Sequence, residues 1–326
     1  MRAVLCREYG PLEKLEVAEL PSPPIAPGAV RVAVHAAGIN FADILIVQGK
    51  YQEKPPLPFS PGFEIAGVVT ELGPGAEGVR VGDRVLGMME HGAYADEAVL
   101  PAERVIPIPD AMDFAAAAGF PVAYGTSHGA LEWRARLRAG ETLLVLGAAG
   151  GVGLTAVEIG KAMGARVIAA ASTPDKLEVA RERGADDLVN YSTEDLTARV
   201  MALTGDKGAD VCFDPVGGDL FDKALSALGW GGRMLLVGFV GGVQQIPANR
   251  LLVKNRSALG CSLRYYRNQA PDKLRRSVDA LLAWYREGKL KPCVSGRLPL
   301  ERTVEAIKLL TDRKAVGKIV VLPSGA

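Results

Sequence analysis

Histidine is scarce in this sequence: His35, His91 and His128 are the only three in 326 residues, and no two of them stand at the spacing of metal ligands. Cysteine is scarce too. Cys6, Cys212, Cys261 and Cys293 are scattered without any Cys-x-x-Cys pair, which speaks against a zinc cluster or a disulfide frame and suits reduced thiols acting as small buried hydrophobes. An excess of either charge is missing as well, since 38 basic residues meet 37 acidic ones and the formal charge is +1. Without a block of like charge, neither nucleic acid nor an anionic membrane surface is an expected partner, and a small molecule is. No apolar run approaches the ~18 residues of a membrane span, and the opening "MRAVLCREYG" meets charge within a few residues, so the expectation is a soluble cytoplasmic protein. Internal repeats and low-complexity segments are also lacking.

What is present is an ordinary globular composition, 48% apolar and 23% charged. Because one core stops growing near about 250–300 residues, the length favours two domains. From Thr142 onward, short β-rich runs alternate with helical periods. "TLLVLGA" precedes the helix-like "GVGLTAVEIGKAMG", and "ARVIAAAS" precedes a helix opened at Ser172-Thr173-Pro174 and closed at Gly184. "DDLVNY", "ADVCFD", "RMLLVGF" and "SALGCSL" complete a set of six strands. That alternation predicts an α/β fold, a doubly wound parallel six-stranded sheet of the dinucleotide-binding kind.

The first 120 or so residues read differently. "RVAVHAAGI", "EIAGVVTELG", "DRVLGM" and "EAVLP" are short strands broken by Gly and Pro, which predicts a mainly β domain, and "PSPPIAPG" reads as a stiff connector. Leu274, Val278, Leu281, Leu282 and Tyr285 form a one-sided helix opened by Pro271 and stopped by Gly288. A further helix near "ERTVEAIKLLTDR" leads into "GKIVVL", and this tail is expected to rejoin the first domain. The expected boundaries are therefore 1–123 with 266–326 for the mainly β domain and 124–265 for the dinucleotide domain.

Chemistry concentrates at "GAAGGVG", residues 147–153. Gly147, Gly150 and Gly153, with Gly151 in addition, stand between a strand and a helix. Glycine there permits a tight turn, close approach of a pyrophosphate to the backbone, and close helix-on-strand packing, while the helix start offers N–H donors. About 20 residues further on, an Asp or Glu would bind the 2′-hydroxyl of an NAD ribose. Ser172 stands in that place, with Lys176 after it, and the pair suits a 2′-phosphate, so NADPH is the expected cofactor. Plain helix capping by Ser172 and a solvated Lys176 are the competing readings.

Taken in order, "AAGINFADILIVQGKY", "PGFEIAGVVTELGPG", "VGDRVLG", "GAAGGVGLTAVEIGKAMGA", "GADDLVNY" and "GKIVV" resemble the medium-chain dehydrogenase/reductase superfamily, and within it the zinc-free quinone oxidoreductase branch related to zeta-crystallin. The resemblance covers nearly the whole chain and implies a GroES-like catalytic domain beside a Rossmann domain. Where zinc-dependent relatives carry Cys, His and a third ligand, this chain has Asn40, Phe63 and Val122, and the last two cannot ligate a metal.

The resemblance also implies that Asn40 lies beside the nicotinamide; Asn40 and Tyr51 are the candidate hydrogen-bond donors to the acceptor's oxygen, with a turn residue satisfying its own backbone as the other reading of Asn40 and a packing aromatic as that of Tyr51. Asp43 either orients Asn40 or caps the next helix. The implied cofactor set comprises Asn40, Thr126, Gly147, Ala148, Gly150, Gly151, Val152, Gly153, Ser172, Lys176, Tyr191, Phe239 and Lys318, with a purely structural role standing beside the cofactor role for Lys318. Without a Lewis acid to form an alkoxide, reduction of a quinone or conjugated carbonyl is favoured over alcohol oxidation. Two alternatives stay open: an enoyl-thioester or enone reductase, and a non-catalytic NADPH-binding protein of crystallin-like or RNA-binding role. A homodimer joined at the apolar edge of the sixth strand is expected.

Overall fold

The computed structural model describes residues 1–323. Two compact units are formed, one by Met1–Val122 together with the chain from Pro292 on, the other by Ala123–Lys291.

The first unit opens with the paired strands β1 (Arg2–Leu5) and β2 (Glu16–Glu19), then β3 (Ala29–Gly38), α1 (Phe41–Val47), β4 (Glu64–Leu72), β5 (Arg84–Met88), β6 (Glu97–Pro101), β7 (Val105–Pro107) and α2 (Phe114–Ala118). In β3 the apolar side chains Val30, Val32 and Val34 recur every second residue and are buried, as a strand with one covered face requires. The helix α2 is capped by Asp113, whose carboxylate accepts the Ala116 N–H at 2.6 Å.

The second unit contributes α3 (Pro121–His128), continued by a π-helical stretch at 129–135, then β8 (Thr142–Leu146), α4 (Gly151–Ala162), β9 (Arg166–Ala171), α5 (Pro174–Glu182), β10 (Asp187–Asn190), α6 (Leu196–Leu203), β11 (Ala209–Asp214), α7 (Asp219–Ala227), β12 (Leu228–Leu236), α8 (Ala248–Leu252), β13 (Ser257–Gly260), α9 (Leu263–Gln269) and α10 (Pro271–Arg286). Its six strands run parallel in the order β10-β9-β8-β11-β12-β13. Numbered within the unit that order is 3-2-1-4-5-6, the doubly wound arrangement anticipated from the strand–helix alternation. Strand β8 is buried from Leu143 to Leu146, which is why it reads as an unbroken apolar run.

The chain then returns to the first unit with β14 (Val294–Pro299), α11 (Thr303–Thr311) and β15 (Lys318–Leu322). The resulting sheet has the order β14-β15-β3-β4-β5-β7, with β6 also paired to β3. Strand β15 joins β3 antiparallel, Val320 opposite Gly38. The return comes at Pro292 and not at 266 as expected. The cause is α10: its buried face of Leu274, Val278, Leu281 and Leu282 belongs to the second unit, and Ser277 hydrogen-bonds His128 Nδ1 there at 2.8 Å.

Candidate functional site

Sheet order makes the C-terminal ends of β8 and β11, where the strand order reverses, the natural place for a ligand in the second unit. The turn after β8 is built around glycines. Gly147 has φ +56°, a conformation costly for other residues, and Gly150 precedes the first turn of α4 without any side chain closing over the helix end. At Gly153 an added Cβ would lie 2.2 Å from the Gly147 carbonyl oxygen, so only glycine lets the helix sit this close to the turn. The backbone N–H groups of Gly151, Val152 and Gly153 begin α4, where intrahelical acceptors are lacking by geometry. Ala148 ties the turn to the next strand by donating its N–H to Ala170 at 3.1 Å.

One strand over, Thr173 caps α5, its hydroxyl oxygen accepting the Lys176 N–H at 3.4 Å. Capping therefore falls to Thr173 and not to Ser172. Ser172 follows Ala171 at the end of β9, and Tyr191 N–H donates to the Ala171 carbonyl at 3.1 Å. Ser172, Lys176 and Tyr191 are thus gathered at neighbouring strand ends, each half-buried.

On the other side of β8, the buried Asp214 closes β11. One oxygen accepts the N–H groups of Val216 and Gly217, both at 2.8 Å, and the other accepts Gln244 Nε2 at 3.1 Å. Burial raises its pKa. Asp214 so joins the loops after β11 and β12, the second of which carries the partly exposed Phe239. Val216 Cγ2 would stand 3.0 Å from a Cβ at Gly147, which links this clasp to the glycine turn. Thr126 is half-buried on α3 next to Ser127, whose hydroxyl donates to Val152 O at 2.8 Å.

The first unit holds a second constellation. Asn40 ends the β3 connection and precedes α1. Lys318 Nζ, from β15, donates to Asn40 Oδ1 at 2.8 Å, to Ile39 O at 2.7 Å and to Glu64 Oε1 at 2.8 Å. Asn40 Nδ2 donates to Glu64 Oε1 at 2.9 Å and to Gly38 O at 3.3 Å. The second oxygen of Glu64 accepts the Val122 N–H at 2.9 Å. Glu64 is fully buried, and a Cβ on Gly38 would meet its Oε1 at 2.4 Å, so the glycine at the end of β3 makes room for the carboxylate.

Of the two tasks weighed for Asp43, its contacts serve the helix cap. Its carboxylate accepts the Asn40 backbone N–H at 2.6 Å, which closes the start of α1, and also the Tyr94 hydroxyl at 2.6 Å. Burial pushes Asp43 up to about 7, because the hydrogen bonds from Tyr94 and Asn40 only partly offset the loss of solvent. Asp43 Oδ1 has no hydrogen-bond partner among the described residues. Tyr51 packs against Phe63, ring centroids 5.6 Å apart. Glu64 and Tyr94 were not singled out by sequence reasoning. A glutamate directly after Phe63 in an apolar strand was the available signal.

The sequence reading gave Asn40 the task of donating to an acceptor's oxygen. Both of its side-chain N–H groups are engaged inside the first unit, and its Oδ1 accepts from Lys318 and takes part in the capping box that opens α1.

Comparison with known proteins agrees with this geometry. Residues 26–110 match the alcohol dehydrogenase GroES-like domain and residues 151–280 the zinc-binding dehydrogenase domain. The chain is 42% identical over 324 residues to a quinone oxidoreductase-like protein 2 homolog of Nematostella vectensis, covering 98% of this chain and 88% of that one. It is 32% identical over 325 residues to human quinone oxidoreductase, covering 99% and 98%. The solved structure of Escherichia coli quinone oxidoreductase complexed with NADPH superposes with a TM-score of 0.91 at 30% identity, covering 99% of this chain and all of that one, 100%. This chain belongs to the quinone oxidoreductase branch of the medium-chain dehydrogenase/reductase superfamily.

Proposed function

We propose that this protein is an NADPH-dependent, metal-free reductase that delivers hydride to quinones or related conjugated carbonyls. The observation that carries the reading is the pairing of a glycine turn that admits no Cβ at Gly153 with a neighbouring strand end that offers Ser172 and Lys176 in place of a carboxylate. A pyrophosphate fits the first feature, since the helix start is uncapped by any side chain. A 2′-phosphate fits the second. The Escherichia coli relative, matched end to end, is itself a complex with NADPH.

When bound, the reduced nicotinamide supplies the hydride. Gly151, Val152 and Gly153 hold the pyrophosphate through backbone N–H groups at the start of α4, with Gly147, Ala148 and Gly150 shaping the turn beneath it; Ser172, Lys176 and Tyr191 hold the adenosine end; Thr126 and Phe239 border the turn. A quinone or enone that gains hydride needs only hydrogen-bond donors around its oxygen. Tyr51 is assigned that task, its ring steadied by Phe63. Phe63 and Val122 offer no lone pair to a metal, and Val122 acts through its backbone N–H.

A homodimer through the edge strand β13 belongs to the same reading. The decisive assay offers the purified protein NADPH with a panel of quinones, enones and enoyl thioesters, with chelator present. Quinone turnover that survives the chelator is the expected result. Turnover confined to enoyl thioesters, or one tightly held zinc per chain, would contradict it.

A further inference from the structure

The chain passes between the two units twice, at Val122–Ala123 and at Lys291–Pro292. On the second unit's side both passages are held by one helix, α4, through two residues three positions apart. At the first passage Thr155 Oγ1 stands 3.2 Å from Ala123 O, and Glu158 Oε2 accepts the hydroxyl of Tyr124 at 2.5 Å. At the second, Glu158 Oε1 accepts the Lys291 N–H at 3.2 Å and Arg183 Nη1 at 3.3 Å, while the same guanidinium nitrogen donates to Lys291 O. Positions i and i+3 share a helix face, so Thr155 and Glu158 meet both connections from one side of α4. Ala123, Tyr124, Thr155 and Glu158 are buried. A single buried carboxylate therefore ties together two stretches of chain that are far apart in sequence.

The same helix begins at the glycine turn. Its first turn carries Gly151 and Gly153, the poorest helix formers after proline, so its closure depends on what surrounds it. Two ties join it to α3: Ser127 Oγ donates to Val152 O at 2.8 Å and lies 2.7 Å from Thr155 Oγ1, and Tyr124 reaches Glu158 one turn further on. An anion at the helix start satisfies N–H groups that have no intrahelical acceptor and favours the closed turn. We infer that NADPH bound at the start of α4 holds the Lys291–Pro292 passage more firmly, with Glu158 as the positioning residue that transmits the effect. Closure of the first turn keeps α4 and α3 zipped together, and so keeps the Glu158 carboxylate in place against Lys291. The inference rests on the pyrophosphate assignment above and goes beyond it. It requires no acceptor and no residue of the first unit.

The test reads amide hydrogen exchange at Lys291, whose N–H is bonded to Glu158, with and without NADPH and with no acceptor present. A ligand that binds only the closed helix start slows exchange through every opening that includes that start, by about a hundredfold when it stands at about 100 times its Kd. NADPH is therefore supplied at the same multiple of the Kd of each variant, measured by reduced-nicotinamide fluorescence. In wild type the Lys291 amide is expected to exchange about tenfold or more slowly once NADPH is bound. In Glu158→Ala that slowing should vanish, because the amide no longer hangs on α4. In Glu158→Gln it should return, because the side-chain oxygen of glutamine accepts the same N–H. Should Glu158→Ala fail to fold, the wild-type comparison decides alone. Bound NADPH that leaves Lys291 exchange unchanged in wild type would overturn the inference, as would slowing that persists undiminished in Glu158→Ala or that Glu158→Gln fails to restore. NADPH that does not bind at all would sink the functional reading and this inference with it. Slowing at Lys291 without quinone turnover would sink the acceptor assignment alone and leave this inference standing.

Discussion

Lys318 Nζ meets Glu64 Oε1 at 2.8 Å across 254 residues of sequence, with 8% and 0% of the two side chains exposed. A pair this deeply buried adds little net stability, yet loss of one partner strands a charge among apolar side chains. Lys318→Met is accordingly expected to cost roughly 3–5 kcal/mol. Adding Glu64→Gln should recover part of that loss, since the amide is neutral and can still accept from Asn40. Denaturant unfolding of wild type and the two variants is the measurement, and equal losses in the single and the double variant would show that the charge is not the cause.

A second buried carboxylate makes stability depend on pH. Glu158 on α4 accepts the Tyr124 hydroxyl at 2.5 Å, the Lys291 N–H at 3.2 Å and Arg183 at 3.3 Å, yet burial pushes it from 4.5 up to about 7. The folded state then holds the proton more tightly than the unfolded one. Its contribution is complete below the unfolded value near 4.5 and is lost as pH rises through about 7. Asp43 acts in the same direction, from 3.8 to about 7. Glu158→Gln should therefore flatten the fall in melting temperature between pH 5 and 8, a change on the order of 2–3 kcal/mol. An unchanged slope in the variant would place the proton elsewhere.

Local chemistry made the second unit readable. The strand, turn and helix around Gly147–Gly153 are specified by residues within a dozen positions of one another, and the parallel order of the sheet follows from the alternation. Long-range partners were hidden. The period of α10 announces a buried face through Leu274, Val278 and Leu281 but not the surface that covers it, and so the return of the chain was placed too early. The side-chain oxygen of Asn40 is engaged by Lys318, 278 residues away, and the cap of α5 is decided by whether Ser172 or Thr173 has extended geometry at the helix start. None of these contacts leaves a trace in periodicity or spacing.

At Gly153 a single methyl group is expected to be decisive. In Gly153→Ala the new Cβ would stand 2.2 Å from Gly147 O and 3.1 Å from Ala148 Cα, both backbone, so either the turn or α4 must shift. Loss of NADPH binding by tenfold or more is expected, together with about 1–3 kcal/mol of stability from overpacking. Gly140→Ala offers a contrast: φ is +84° but nothing lies within 4 Å, so it should lose stability without a comparable effect on binding. Similar binding defects in both variants would argue that backbone strain and not the close approach governs the turn.

The edge of the six-stranded sheet predicts self-association. Strand β13 has a partner on one side alone, β12, and the neighbouring segment exposes Trp230 at 73%, Leu252 at 76% and Val253 at 63%. Gly231 N–H donates to Lys254 O at 2.8 Å, which brings Trp230 close to the Leu252–Val253 segment and makes one apolar surface of them. Light scattering at micromolar concentration should report a dimer, and Leu252→Asp should shift it toward monomer with the helical signal retained. A wild-type monomer would contradict the prediction.

Cofactor choice is expected to rest on Ser172. Because Thr173 caps α5, the Ser172 hydroxyl at the end of β9 is not spent on the helix start, and Tyr191 lies beside it. Charge-assisted hydrogen bonds to a 2′-phosphate are worth roughly 1.5–3 kcal/mol each, so even half of one such pair favours NADPH over NADH about tenfold. Ser172→Asp puts a carboxylate where the phosphate would sit and gives the 2′-hydroxyl of NADH a partner. The ratio of kcat/KM for the two cofactors should then move toward NADH with kcat at saturation little changed, because the adenosine end does not touch the reacting carbon. A wild type that uses NADH as well as NADPH, or a variant that loses both equally, would show that this strand end does not select the phosphate.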